Sequence, residues 1–214
     1  MEPDFWHAKW AAQTLGFHLS TVNPNLEQLV GRLPAPPARI LIPMCGKSVD
    51  LPWLAARGHA VLGVELNASA VEAFFEESGL SQAVEVSDAG ALRRHRAERV
   101  EMLQGDMFDL TAEHVGRVDA VYDRAALIAL PAAMRTRYAQ LLTGLLPPGA
   151  TYLLITLEIP GRESGPPFSV EEAEVRALYG DRFTIEVLDK QVVGGDDKFA
   201  GSTEGRYLLT RLSP

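Results

Sequence analysis

Two short apolar runs, Arg39-Ile40-Leu41-Ile42-Pro43 and Ala60-Val61-Leu62-Gly63-Val64-Glu65, bracket a helical stretch from Val49 to Arg57 that stops at Gly58. This βαβ pattern constrains the chain more than any other feature. A strand, a crossover helix and a second strand in the same direction build a parallel sheet that helices must cover. The alternation continues: Asn67 or Ser69 opens a helix running to Glu77, with Gly79 as its stop. Val100–Leu103, Ala120–Tyr122 and Thr151–Leu157 read as further strands, with a helix from Pro131 to Leu142 between the last two. Near the end Phe183–Leu188 alternates apolar and polar residues, and Arg206–Thr210 can return beside it across the loop Gly194 to Gly205. The last strand pair is therefore expected to be antiparallel. The predicted class is α/β, with about seven mostly parallel strands.

The segment before the sheet is of another kind. Phe5 to Leu15 places Phe5, Trp6, Lys9, Trp10 and Gln13 at helical spacing with Asp4 as a capping residue, and Asn25 to Val30 reads as a short helix capped by Asn23 or Asn25. The connector Leu33-Pro34-Ala35-Pro36-Pro37-Ala38 then ends helical structure. All 214 residues are read as one domain, with 1–37 as a helical extension and connector. Single Cys45 cannot form an intrachain disulfide, and neither a secretory leader nor a bilayer-spanning run is visible, so a soluble, cytoplasmic protein is expected. A formal net charge of −8 argues against nucleic acid as a partner, because duplex binding needs Lys and Arg on phosphates. The basic run Arg93-Arg94-His95-Arg96 reads as a solvated face. The five histidines are scattered without an i, i+4 pair, and no metal site is expected.

In an open α/β sheet, ligands bind outside the carboxyl ends of the strands. Here the first such end is Pro43-Met44-Cys45-Gly46-Lys47-Ser48 and the second is Glu65. A glycine at the first turn lets backbone approach a ligand, and a carboxylate at the second strand end accepts from ribose hydroxyls. Together they point to an adenosine-containing ligand, against the plainer reading of a tight turn and a helix cap. Gly46-Lys47-Ser48 imitates the end of a P-loop, but Leu41 stands where that loop needs its first glycine. A dinucleotide fold would want further glycines for its pyrophosphate, so a ligand without phosphates fits better. Cys45 in this loop is expected to be a small buried hydrophobe.

Long stretches resemble the thiopurine S-methyltransferase family: Phe5-Trp6-His7-Ala8-Lys9-Trp10, Gly16-Phe17-His18, Ile42 through Leu51, Gly63-Val64-Glu65-Leu66, Gly105-Asp106-Met107-Phe108-Asp109-Leu110, Tyr122-Asp123-Arg124-Ala125-Ala126-Leu127 and Gly165-Pro166-Pro167-Phe168. Met44 stands where the family usually has Leu, a shape-conserving change. The resemblance implies a Rossmann-like class I methyltransferase that uses S-adenosylmethionine. It further implies that Trp6 and Trp10 close over the cofactor with Phe17 nearby, that Met44 and Gly46 lie under it, and that Glu65 takes the ribose. Asp106 and Met107 would border the adenine, and Arg124 would meet cofactor and acceptor. Without the other motifs, two tryptophans four apart would be plain core and Asp106 a turn former.

Methyl transfer is an in-line displacement that positioning and electrostatics can accelerate, so the lack of a catalytic triad does not argue against an enzyme. Arg124 is the expected catalytic residue, favouring an anionic, ring-shaped acceptor by charge and stacking; the plainer reading pairs it with Asp123 or Asp119. Phe17 and Phe168 are expected to contact the acceptor, Phe168 as its wall or else as part of a loop before a helix capped by Ser169. The expected acceptors are small aromatic thiols, thiopurines among them, or selenium and tellurium compounds, and a monomer is expected. The rivals are a non-catalytic adenosyl-ligand sensor on the same scaffold and an NAD-dependent oxidoreductase, which the single-glycine loop disfavours. If residues 1–37 form a lid, limited proteolysis within them slows when S-adenosylmethionine is added; unchanged cutting would count against a lid.

Overall fold

The computed structural model describes residues 3–12, 14, 16–194 and 199–213. It divides into two compact units, Glu2–Ala120 and Val121–Pro214. In the first, helix α1 (Pro3–Ala11) and helix α2 (Pro24–Leu29) precede strand β1 (Arg39–Ile42), helix α3 (Asp50–Ala56), strand β2 (Ala60–Glu65) and helix α4 (Ala68–Glu77). Strands β3 (Glu85–Ala89), β4 (Leu92–Ala97) and β5 (Val100–Gln104) follow, then the short helix α5 (Ala112–Val115). The order across this part of the sheet is β3-β4-β5-β2-β1. β1, β2 and β5 run parallel, whereas β3 and β4 form an antiparallel hairpin added to β5. The parallel strands are buried on both faces, as Ile40, Leu41, Val61, Leu62, Met102 and Leu103 show, which is why they read as continuous apolar runs.

Strand β6 (Ala120–Arg124) leads into the second unit, with helix α6 (Ala132–Leu145), strand β7 (Thr151–Glu158), helix α7 (Glu172–Tyr179) and strands β8 (Phe183–Val192) and β9 (Thr203–Arg211). The order here is β6-β7-β9-β8, and β9 is antiparallel to both its neighbours, so the expected antiparallel end pair is present. Tyr152, Tyr179 and Phe183 pack edge to face with centroids 5.3 to 6.3 Å apart, filling the space between β7, β8 and α7.

Several expectations need correction. The described residues hold nine strands rather than about seven, because the hairpin β3–β4 carried no apolar run to announce it. Arg93-Arg94-His95-Arg96 is a strand of that hairpin and not one solvated face: alternation sends Arg94 toward Glu101, with which it pairs, while His95 stacks on Phe75 on the other face. Asp4 lies inside the first turn of α1 rather than before it, and of the residues expected in that helix Gln13 and Leu15 fall outside the described residues, as do 195–198 of the β8–β9 loop. Asn23 caps α2 and Asn67 caps α4. Ser169 does not cap α7; its hydroxyl accepts from the Ile159 amide, and Glu158 receives the Glu172 amide at the helix start. No helix among the described residues is long and apolar enough to cross a membrane.

Close packing under the first strand end is set by a glycine inside β2. A Cβ on Gly63 would lie 2.7 Å from Cys45 Sγ and 2.9 Å from a Leu51 methyl. Gly63→Ala is therefore expected to destabilise by about 1–3 kcal/mol through overpacking, and Cys45→Ala in the same chain to recover part of the loss. Urea unfolding of the single and double variants checks this.

Candidate functional site

The carboxyl ends of β1, β2 and β5 meet at one residue, Glu65, through its carboxylate and its backbone carbonyl. Glu65 Oε2 accepts the Gly46 amide at 2.8 Å and Oε1 accepts the Asn67 amide at 2.8 Å, with the Leu66 amide also bonded. The Glu65 carbonyl accepts from Gly105 N at 2.9 Å, and Cys45 N reaches Val64 O at 3.0 Å. Thus the loops after the three parallel strands are tied to the last residues of β2. Burial pushes the Glu65 carboxyl above its ordinary value, and the three amides oppose that shift.

The loop after β1 turns through left-handed backbone at Met44 (φ 47°) and Gly46 (φ 56°). For Met44 that conformation is uncommon, and such strain persists where the surroundings hold it. Cys45 between them is buried, with its thiol pushed well up by burial and by the Glu65 charge, so it is a packing residue as expected.

Helix α1 brings its aromatic residues onto this loop. Trp10 Cζ2 lies 3.2 Å and Phe17 Cε2 3.4 Å from where a Cβ on Gly46 would be, so a side chain there would press on Trp10 and touch Phe17. Trp6 and Trp10 each meet Phe17 edge to face, at 5.9 and 6.0 Å. The expected lid residues Trp6, Trp10 and Phe17 are therefore one cluster, of which Trp10 and Phe17 lie against Gly46 and Trp6 packs on Phe17. A second tie, unforeseen in the sequence, joins Asn67 Nδ2 to His7 Nδ1 at 3.0 Å. Asn67 Oδ1 is committed to the amides of Ser69 and Ala70, which orients its NH2 toward His7.

Met107 is buried beside this site. Asp106 is exposed and its Oδ1 caps Phe108 N at 2.9 Å, so the turn-forming role is real and occupies one of its oxygens.

Arg124 and Phe168 belong to the second unit. Arg124 ends β6, and the next residue, Ala125, is left-handed (φ 65°). Neither carboxylate of the plainer reading stands idle: Asp123 is fully buried and bonded to tyrosines, and Asp119 binds Arg39 N and Arg117 Nε. Phe168 N donates to Ile128 O at 2.7 Å, joining its loop to the one after Arg124. Arg135, nearly buried, lies 5.8 Å from the Phe168 ring, donates to Leu130 O and Ser169 O, and pairs with Glu174. Its place as the brace of this wall gave no sequence signal, since an arginine in an amphipathic helix reads as a solvated residue.

The first unit fits an adenosyl ligand. A carboxylate offers about four acceptor positions, so Glu65 with three amides retains capacity for a hydroxyl. Its charge at the strand ends suits a sugar and opposes a phosphate. Aromatic rings over Gly46 suit a cationic sulfur.

A model of the family described as thiopurine S-methyltransferase matches residues 1–205. The thiopurine S-methyltransferase of Pseudomonas aeruginosa (strain UCBPP-PA14) is 47% identical over 219 residues, covering 99% of this chain and 100% of that protein. In structure, the chain is similar to the Burkholderia thailandensis 1,6-didemethyltoxoflavin-N1-methyltransferase solved with S-adenosylhomocysteine, with TM-score 0.69, 18% identity, and coverage of 98% of this chain and 86% of that one. It is also similar to the magnesium protoporphyrin IX methyltransferase of Synechocystis PCC 6803 with bound S-adenosylmethionine, with TM-score 0.67, 17% identity, and coverage of 98% and 94%. At these identities the two structures show the fold.

A carboxyl whose pKa is raised by folding binds more protons folded than unfolded, so its favourable share of stability is full below the unfolded pKa and is lost as pH rises through the folded one. Unfolding titrations from acid upward are expected to show such a fall above the ordinary glutamate range, smaller in Glu65→Gln. The same substitution swaps an acceptor for an NH2 facing amide donors and is expected to weaken calorimetric S-adenosylmethionine binding about tenfold or more.

Proposed function

The chain belongs to the thiopurine S-methyltransferase family and is an S-adenosylmethionine-dependent methyltransferase, and from that premise we propose that it methylates sulfur on thiopurines and other aromatic or heterocyclic thiols. Selenium and tellurium compounds are further acceptors in this reading, and detoxification is its outcome. The observation that carries it is the set of contacts at the strand ends, where Glu65 holds the Gly46 amide, Trp10 and Phe17 sit on that glycine, and Trp6 packs on Phe17.

When bound, S-adenosylmethionine supplies a methyl group on a positively charged sulfur. Glu65 takes the ribose, Met44 and Gly46 present backbone beneath the ligand, and Asp106 and Met107 border the adenine. The rings of Trp6 and Trp10 favour the cation and exclude water. Arg124 holds the anionic acceptor in line, with Phe168 as an apolar wall. No strong base is required, because an aromatic thiol ionises near neutral pH, and the protein's share of catalysis is orientation and charge.

We also propose that residues 1–214 act as one methyltransferase domain, with 1–37 as lid and connector, in a cytoplasmic monomer whose partners are small molecules. The commitment of Arg94 to Glu101 and to His114 O supports leaving nucleic acid aside.

Transfer of labelled methyl from S-adenosylmethionine to 6-mercaptopurine and to selenite tests the reading. Arg124→Ala is expected to lower kcat/KM about a hundredfold while cofactor affinity stays within about threefold. Equal losses in both would remove Arg124 from the acceptor site, and tight cofactor binding without turnover on either compound would favour a sensor.

A further inference from the structure

The residue just before Arg124 carries a charge that the reaction itself does not use. Asp123 is fully buried, yet its four donors are two phenols and two backbone amides rather than a guanidinium or an ammonium. Oδ2 accepts from Tyr138 OH and from Tyr152 OH, both at 2.6 Å. Oδ1 accepts from Leu127 N at 3.2 Å, and the Ala126 amide also bonds to the carboxylate. Tyr179 OH lies 3.1 Å from Tyr152 OH and extends the chain to α7.

These bonds run in two directions. Tyr138 comes from α6 and Tyr152 from β7, so the phenols fasten Asp123 to the interior. The amides of Ala126 and Leu127 lie beyond Arg124, so the same carboxylate closes the chain into a turn around that arginine. Ala125, inside the turn, keeps a left-handed φ of 65° that a non-glycine residue adopts at a cost. Burying a carboxylate is expensive, and four donors offset the cost only with the loop in this one geometry.

We propose that Asp123, held by Tyr138 and Tyr152, is the positioning residue for Arg124: the buried carboxylate fixes the turn from which the guanidinium reaches the acceptor. This rests on the reading of Arg124 as the acceptor-binding residue. Both tyrosines lose one hydroxyl and keep their rings on change to Phe, so Tyr138→Phe and Tyr152→Phe weaken the anchor while preserving packing. Asp123→Asn is a poorer probe, since its NH2 would face donors.

The test is a double-mutant cycle with 6-mercaptopurine as acceptor, run with calorimetric S-adenosylmethionine binding, thermal unfolding and hydrogen exchange. Tyr152→Phe is expected to lower kcat/KM about tenfold, chiefly by raising the KM for 6-mercaptopurine, with cofactor affinity unchanged. In the Arg124→Ala background the same change is expected to cost less than about twofold, because its route to the acceptor is already gone. Amide exchange over residues 124–130 is expected to quicken in Tyr152→Phe and Tyr138→Phe, a readout independent of turnover. Equal losses in both backgrounds, or unaltered exchange over 124–130, would overturn the assignment. If Arg124→Ala itself leaves transfer unchanged, or the parent protein does not turn over 6-mercaptopurine, the acceptor reading fails instead, and the exchange measurement still decides whether Asp123 anchors the turn.

Discussion

The Glu65 carboxylate is the point on which the first unit depends. It sits where β2 ends, is almost entirely withdrawn from water, and binds the amides of Gly46, Leu66 and Asn67. An anion in that position would be costly alone; amide donors on both oxygens make it tolerable, and in return they fix the loop after β1 and the start of α4. The aromatic cluster of α1 depends on the same bond, because Trp10 and Phe17 rest on Gly46 and Gly46 is held by Glu65.

Asp123 repeats the device in the second unit. Each carboxylate stands at the end of a strand, each is pushed up by burial, and each takes backbone amides from a loop containing a left-handed non-glycine residue, Met44 in one case and Ala125 in the other. Surface ion pairs such as Arg176 with Glu172 contribute little by comparison, since water screens them. A buried anion that binds amides holds a loop from within and leaves the loop's outer side for a ligand.

Much of the fold was legible because the parallel strands are buried on both faces and so appear as apolar runs, and because Gly58 and Gly79 mark the ends of the helices between them. The hairpin β3–β4 was not. Its residues are polar and largely exposed, and its pairing with β5 satisfies backbone groups without an apolar signature. The same strand alternation turned an apparent basic patch into Arg94 on one face and His95 on the other.

For the site, the amino-acid sequence by itself determined the chemistry available: one glycine at the first strand end, a carboxylate at the second, paired tryptophans ahead of the sheet, and an arginine after β6. Residue type and position along a strand suffice for that, because a strand end is set by local pattern. Only the tertiary structure decided how those groups are held. Glu65 meets the Gly46 amide, His7 meets Asn67, and Asp123 meets Tyr138 and Tyr152 across separations that no local pattern encodes. Hydrogen bonds of this kind are chosen by burial, since a polar group withdrawn from water must take the partner that folding places beside it.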